Sequence, residues 1–297
     1  MSSGANSRPG SPAPAAGYAY ATAAYLFWGV APVYFVWVSF ALPLEILAHR
    51  ILWALPCLFL LVTAGRQWKV LRTLDFRSYA LLACCSLLLS VNWLTFIYGV
   101  SQHRIAETSL GYFLNPLVTI GLGTFFLKER LRRVQMIAVA LAASGIAYEL
   151  YTQGSLPWIA LSLATSFGLY GLLRKKIAVP AAIGLGIETA FVAPLSLAFL
   201  IFYSLPERDT EKLAMLALGG VVTVVPLVWF GAAAMRLPLT ILGFFQFLAP
   251  SISLVIAIYF YGESVTPARW GSFAMVWFGL LVFSAEGVLR GRLAKSV

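Results

Sequence analysis

ETSLGYFLNPLVTIGLGTFFLKER, residues 107–130, decides how the rest of the chain is read. It is a long apolar run with glycine and an Asn-Pro pair inside it, closed by Lys128, Glu129 and Arg130. A soluble helix keeps a polar face. A membrane helix does not, and it tolerates an internal proline where neighbouring helices cover the freed carbonyl. The run also has an echo. Pro116 precedes Glu129 by 13 residues and Gly145 follows Glu129 by 16; Pro250, Glu263 and Gly279 repeat both spacings, 134 residues further on. A displacement of nearly half the chain points to a duplicated membrane unit.

Composition agrees. The chain has 297 residues, of which 61% are hydrophobic and 11% charged, whereas globular chains carry about a quarter charged residues. Its apolar runs are continuous and helix-long, not the short alternations of a barrel, so the expected class is an all-α integral membrane protein. The net charge of +10 is read as membrane orientation, not as a nucleic-acid surface. Cys57, Cys84 and Cys85 all fall in apolar segments without metal-ligand spacing and are expected as packing residues. There are two histidines, too few for a metal site. No Walker loop and no nucleophile-base-acid set is present, so neither an enzyme nor a cofactor is expected.

Ten hydrophobic segments stand out, at 18–38, 43–64, 78–100, 106–127, 132–150, 156–174, 181–203, 213–235, 238–261 and 267–289. The first is too long for a signal-peptide core and is expected to be retained as a helix. With the N-terminus in the cytoplasm, 16 of the 21 Lys and Arg residues fall in cytoplasmic segments, Arg174, Lys175 and Lys176 among them. Four, namely Arg104, Arg208, Lys212 and Arg269, fall outside, and Arg50 lies within a span. That asymmetry predicts both termini inside the cytoplasmic (inner) membrane. The expected organisation is a disordered tail at 1–17, a five-helix repeat at 18–150, a second at 156–289 and a cytoplasmic tail at 290–297. Five is odd, so the second repeat enters upside down. Inverted repeats with Pro- and Gly-interrupted helices are a transporter architecture, with substrate bound between the halves near mid-membrane. The implied partners are a small-molecule solute and the lipid bilayer. Gly-rich runs such as GLGT at 121–124 pack helices within one chain or between two, which leaves the oligomeric state open.

Within this frame a few polar residues carry the chemistry. Arg50 lies roughly 9 Å of helix inside the second span, where an unpaired guanidinium costs a few kcal/mol or more unless it is hydrated or paired. It either snorkels to the outer face near Glu45 and His49 or binds a substrate carboxylate or phosphate bidentately. Glu188 occupies the matching place in the second half: Arg50 precedes Pro56 by six residues, as Glu188 precedes Pro194. It is a proton-coupling candidate, or else a structural hydrogen bond to a neighbouring helix. The two should lie in opposite thirds of the bilayer, so no direct pair between them is expected. Asn92, Trp93, Tyr112, Asn115, Thr223 and Gln246 lie nearest mid-depth and are the expected cavity lining, against the alternative of bonds between helices. Glu107, Glu129, Glu149, Glu263 and Glu286 sit at helix ends and read as braces.

The segments FWGVAPVYF (27–35), EILAHR (45–50), NWLTFIYGV (92–100), AETSLGYFLNPL (106–117), KERLRRVQ (128–135), YGLLRKKIAV (170–179) and LGFFQFLAP (242–250) resemble the RarD subgroup of EamA-type permeases, in the drug/metabolite transporter superfamily. The resemblance runs along nearly the whole chain beyond residue 17. A lysine often follows Tyr-Phe in the first helix of that family; here Val36 stands there. The resemblance implies a ten-helix inner-membrane permease. The function expected is secondary transport of a small organic metabolite or drug by alternating access, with proton coupling and facilitated diffusion both open. The alternative is a non-transporting membrane scaffold or sensor, or a lipid-acting membrane protein.

Overall fold

The computed structural model describes residues 14–102, 105–153, 158–177, 179–203, 209–262 and 265–293. Over these residues the chain is helical and contains no strand. Its helices are α1 (Pro14–Trp37), α2 (Pro43–Ala64), α3 (Trp68–Leu71), α4 (Phe76–Ser101), α5 (Ile105–Phe126), α6 (Arg133–Gln153), α7 (Trp158–Lys176), α8 (Ala181–Phe202), α9 (Thr210–Ala234), α10 (Leu239–Gln246), α11 (Leu248–Tyr261) and α12 (Pro267–Leu293). Eight stretches are long and apolar enough to cross a membrane, one of them spanning α10 and α11 together. In α5 the apolar part is shorter, Leu110–Phe126, and α7 carries Arg174, Lys175 and Lys176 in its last turn.

Each expected segment contains a helix, with three departures. Residues 68–71 form a one-turn helix in what reads as a loop. The outer ends reach further, since α1 begins at Pro14 and α12 runs to Leu293. The ninth segment is not one helix: α10 ends at Gln246 and α11 begins at Leu248. Pro250 has no N–H to give the Gln246 carbonyl, and the chain turns there. Pro116, its counterpart, interrupts nothing, and α5 is continuous.

Small residues set the helix contacts, as they do where lipid removes the hydrophobic drive between helices. A Cβ on Gly168 of α7 would stand 2.9 Å from Val118 of α5, and one on Gly29 of α1 would stand 2.6 Å from Ile252 of α11. A Cβ on Gly279 of α12 would press on Ala138 and Leu141 of α6, and one on Gly145 of α6 on Ser272 and Met275 of α12. In each case the residues touched are 134 apart: 118 and 252, 138 and 272, 141 and 275. The helix pairs follow suit. α5 packs on α7 as α1 packs on α10 and α11, α4 on α7 as α9 on α1, and α2 on α9 as α8 on α4; α2 packs on α8 and α6 on α12.

Charges lock the α6–α12 pair at both ends. Arg132, just before α6, pairs with Glu286 near the end of α12 at 3.1 Å, and Glu149 near the end of α6 accepts from Arg269 at 3.3 Å. These two helices therefore run antiparallel. Glu129 braces more than its own helix end. Its carboxylate accepts the backbone N–H groups of Leu239 at 2.8 Å and Thr240 at 2.7 Å, and so caps α10. Lys128, with φ 56°, makes the turn that delivers it. Glu263 lies outside the described residues, as do residues 1–13 and 294–297 of the two tails.

Candidate functional site

Arg50 enters the bundle seven residues into α2, roughly 10 Å of helix from its start. It does not reach Glu188. Its Nε donates to the Thr223 hydroxyl on α9 at 2.9 Å. The guanidinium stands 5.2 Å from the Phe35 ring centre and 5.6 Å from that of Trp93, cation–π distances on α1 and α4. The hydroxyls of Tyr34 and Tyr112 lie within its electrostatic reach, and Phe96 links Phe35, in a tilted contact, to Tyr112, edge-on. Gly219 makes the room, since a Cβ there would stand 2.7 Å from Arg50 Cγ and 2.6 Å from the Tyr34 hydroxyl. Among the described residues no carboxylate comes within ion-pair distance of Arg50. Its charge is held by one hydroxyl and π faces, which leaves guanidinium donors for something else.

Glu188 lies seven residues into α8 and is 2% exposed. Arg174 of α7 donates to its Oε1 at 3.4 Å and Tyr170 to its Oε2 at 3.3 Å. Arg174 also reaches the Ala181 carbonyl, while its Nε has no hydrogen-bond partner among the described residues. Sequence alone grouped Arg174 with the loop cations of the basic end; here it is 2% exposed and inside the bundle. Glycines on the neighbouring helices make the room for it. A Cβ on Gly184 would sit 1.9 Å from Arg174 Nη1, and one on Gly231 would sit 3.2 Å from Nη2. Tyr170 belongs to an aromatic cluster with Phe167, Phe230, Tyr25 and Trp28 that fills the space between α1, α7 and α9.

The two charged groups answer each other. Arg50 on α2 bonds α9 through Thr223, and Glu188 on α8 accepts through its backbone carbonyl from Ser86 of α4 at 2.8 Å. A cavity of about 10 Å³ beside Glu188 also touches Ser86, Thr189, Trp93 and Thr223, about the space one water needs.

The expected cavity lining thus divides. Arg50, Trp93, Tyr112 and Thr223 come together. Asn92 is turned to α7, donating to the Leu163 carbonyl at 2.9 Å and the Ser166 hydroxyl at 3.0 Å. Gln246 is 3% exposed and bonded to Thr119 of α5. These two serve as links between helices. Asn115 is half-buried, and its Oδ1 has no hydrogen-bond partner among the described residues. Phe35, Tyr34, Tyr170 and Arg174 were not anticipated. Among the described residues no group of His, Cys, Asp and Glu could hold a metal ion.

Residues 15–150 match the EamA-like transporter family. An "Uncharacterized transporter" of Vibrio cholerae serotype O1 is 42% identical, over 94% of this chain and 95% of its own. "Protein RarD" of Escherichia coli K12 is 42% identical over 93% and 96%. A "Chloramphenicol-sensitive protein RarD" of Pseudomonas aeruginosa is 32% identical over 86% and 89%. One crystal structure shares the fold with a TM-score of 0.73 at 17% identity, covering 91% of this chain and 97% of that one. The chain therefore belongs to the RarD subgroup of the EamA-like transporter family, multi-pass membrane transporters of the drug/metabolite type.

Proposed function

We propose that the chain is a secondary transporter that moves a small organic anion with an apolar, aromatic-compatible body across the bacterial inner membrane by alternating access. The observation that carries this reading is Arg50, an intramembrane guanidinium without a carboxylate partner among the described residues, seated among Phe35, Trp93 and the Thr223 hydroxyl. A membrane arginine so placed is costly unless function retains it. A planar fork beside π faces suits a carboxylate or phosphate carried on an apolar frame.

On this reading ten spans, with α10 and α11 counted as one, form two inverted halves with both termini in the cytoplasm. The 134-residue recurrence of helix contacts and the antiparallel α6–α12 pair support it. Rocking of the halves would pass the Arg50 site from one face to the other. Glu188 is the proton-coupling residue, linked to the Arg50 site through the water-sized cavity between Ser86 and Thr223.

The smallness of that cavity also suits the second reading, a non-transporting scaffold. Flux separates them. Proteoliposomes loaded with a cell metabolite extract should lose at least one organic anion when they carry the wild-type chain, and retain it when they carry Arg50→Gln. Equal retention in both supports the scaffold. For coupling, Glu188→Gln should abolish the response of that flux to an imposed pH gradient while leaving exchange at equal pH. An unchanged response removes Glu188 from that role.

A further inference from the structure

A groove on the side of the bundle has no part in the transport reading. It runs between residues 55–62 of α2 and 183–190 of α8, and Trp68 and Leu71 of α3 close its end. Its volume is about 420 Å³, and none of its eleven lining residues carries a charge or a hydroxyl. Solute pockets of that size, in the range of roughly 300–1,000 Å³, fix their ligand with a few placed polar groups. This groove offers none, so hydrocarbon is its complement. Phe59 on its rim is 57% exposed, and a Cβ on Gly186 would have no neighbour within 4 Å.

The ground beyond the α3 end is basic. Arg66, Lys69, Arg72 and Arg77 follow within twelve residues, with Asp75 the one acid among them, and all five are exposed. Arg66 has φ 52°, a left-handed setting that glycine adopts without strain and arginine does not. A cation therefore occupies this turn against the backbone's preference. Four to eight Lys and Arg next to a spanning helix on its cytoplasmic side attract anionic headgroups.

We propose that the groove seats an acyl chain of an anionic phospholipid, whose headgroup is held by Arg66, Lys69 and Arg72. The site belongs to the cytoplasmic leaflet, and in this it rests on the orientation given above. It does not rest on the transported solute or on Arg50. An apolar slot continuous with a basic turn matches a molecule that is apolar at one end and anionic at the other. A neutral phospholipid lacks the second feature.

The test is native mass spectrometry of the full chain in neutral detergent, offered equal amounts of phosphatidylglycerol and phosphatidylcholine with the same acyl chains. The expected result is one phosphatidylglycerol retained per chain in preference to phosphatidylcholine. Gly186→Leu directs a side chain into the groove from a position where a Cβ meets nothing within 4 Å, and should cut retention of both lipids, with thermal stability kept or raised because a glycine leaves a helix interior. The triple variant R66Q/K69Q/R72Q alters exposed side chains only, and should lower the phosphatidylglycerol preference by about tenfold or more. The proposal is overturned if wild type holds both lipids equally, if the triple variant keeps the preference, or if Gly186→Leu binds lipid as wild type does. A dimer that dissociates on filling the groove would also overturn it, by making the groove a contact between two copies. Flux that persists in pure phosphatidylcholine vesicles while lipid selectivity is absent would refute this site and leave the transport reading standing.

Discussion

Two intramembrane charges with opposite solutions organise the residue scale. Arg50 has no counter-ion among the described residues and borrows a hydroxyl and ring faces. Glu188 has a full partner in Arg174 and a second in Tyr170. A buried pair offers little net stability, but breaking it leaves one group buried without compensation, which costs about 3–5 kcal/mol. Arg174→Met alone should therefore destabilise by about that amount, and Arg174→Met with Glu188→Met should recover most of it, as read from thermal unfolding in detergent. Additive losses would mean the pair is not coupled. Arg50→Gln should behave differently, since removing an unpaired membrane charge relieves its desolvation; its melting temperature should stay level or rise while flux falls. Arg50 and Glu188 were legible in sequence because each is a lone charge inside a long apolar run. Arg174 was not, because it begins an Arg-Lys-Lys run at a helix end and looks like an orientation signal. Only the three-dimensional approach of Gly184 and Gly231 shows that it turns inward.

At the scale of elements, the long apolar helices were readable because lipid demands about twenty apolar residues per crossing, and eight stretches among the described residues meet that length and composition. What sequence left undecided was how each element ends or breaks. Pro116 and Pro250 look equivalent, yet α5 is continuous and the stretch around Pro250 divides into α10 and α11. The local sequence of the two prolines does not distinguish these outcomes. Glu129 shows the same limit. Its place at a helix end was plain, but its service to α10, 110 residues away, was not. Its carboxylate holds two backbone N–H groups at a helix N-terminus, where charge-assisted bonds are favourable. Glu129→Ala should thus lower unfolding stability by about 1–2 kcal/mol, measured in detergent with the full chain. A loss confined to a few tenths would mean that solvent replaces the cap. α3 escaped notice for a simpler reason, since a four-residue helix has too few turns to show a period.

The whole molecule is best described by what repeats. Adding 134 to the residues under Gly168 and Gly279 gives those under Gly29 and Gly145, and the ion pairs at the two ends of α6 and α12 lock them head to tail. On the proposed reading the two copies face opposite ways, which would give a transporter two alternative packings of equal kind, one open to each side. On the proposed orientation, a green fluorescent protein fused to the C-terminus should fluoresce and an alkaline phosphatase fused there should stay inactive; the reverse pattern would place that end outside and overturn the proposed cytoplasmic C-terminus. The central claim is that Arg50 binds the transported solute between the two halves. The most direct test is the mass-spectrometric flux comparison of wild-type and Arg50→Gln proteoliposomes loaded with the same metabolite extract. The account predicts that one or more organic anions leave the wild-type vesicles at least about tenfold faster than the variant's, the scale of a lost charge-assisted bond, with both chains equally folded. Identical retention of every metabolite by the two would contradict it.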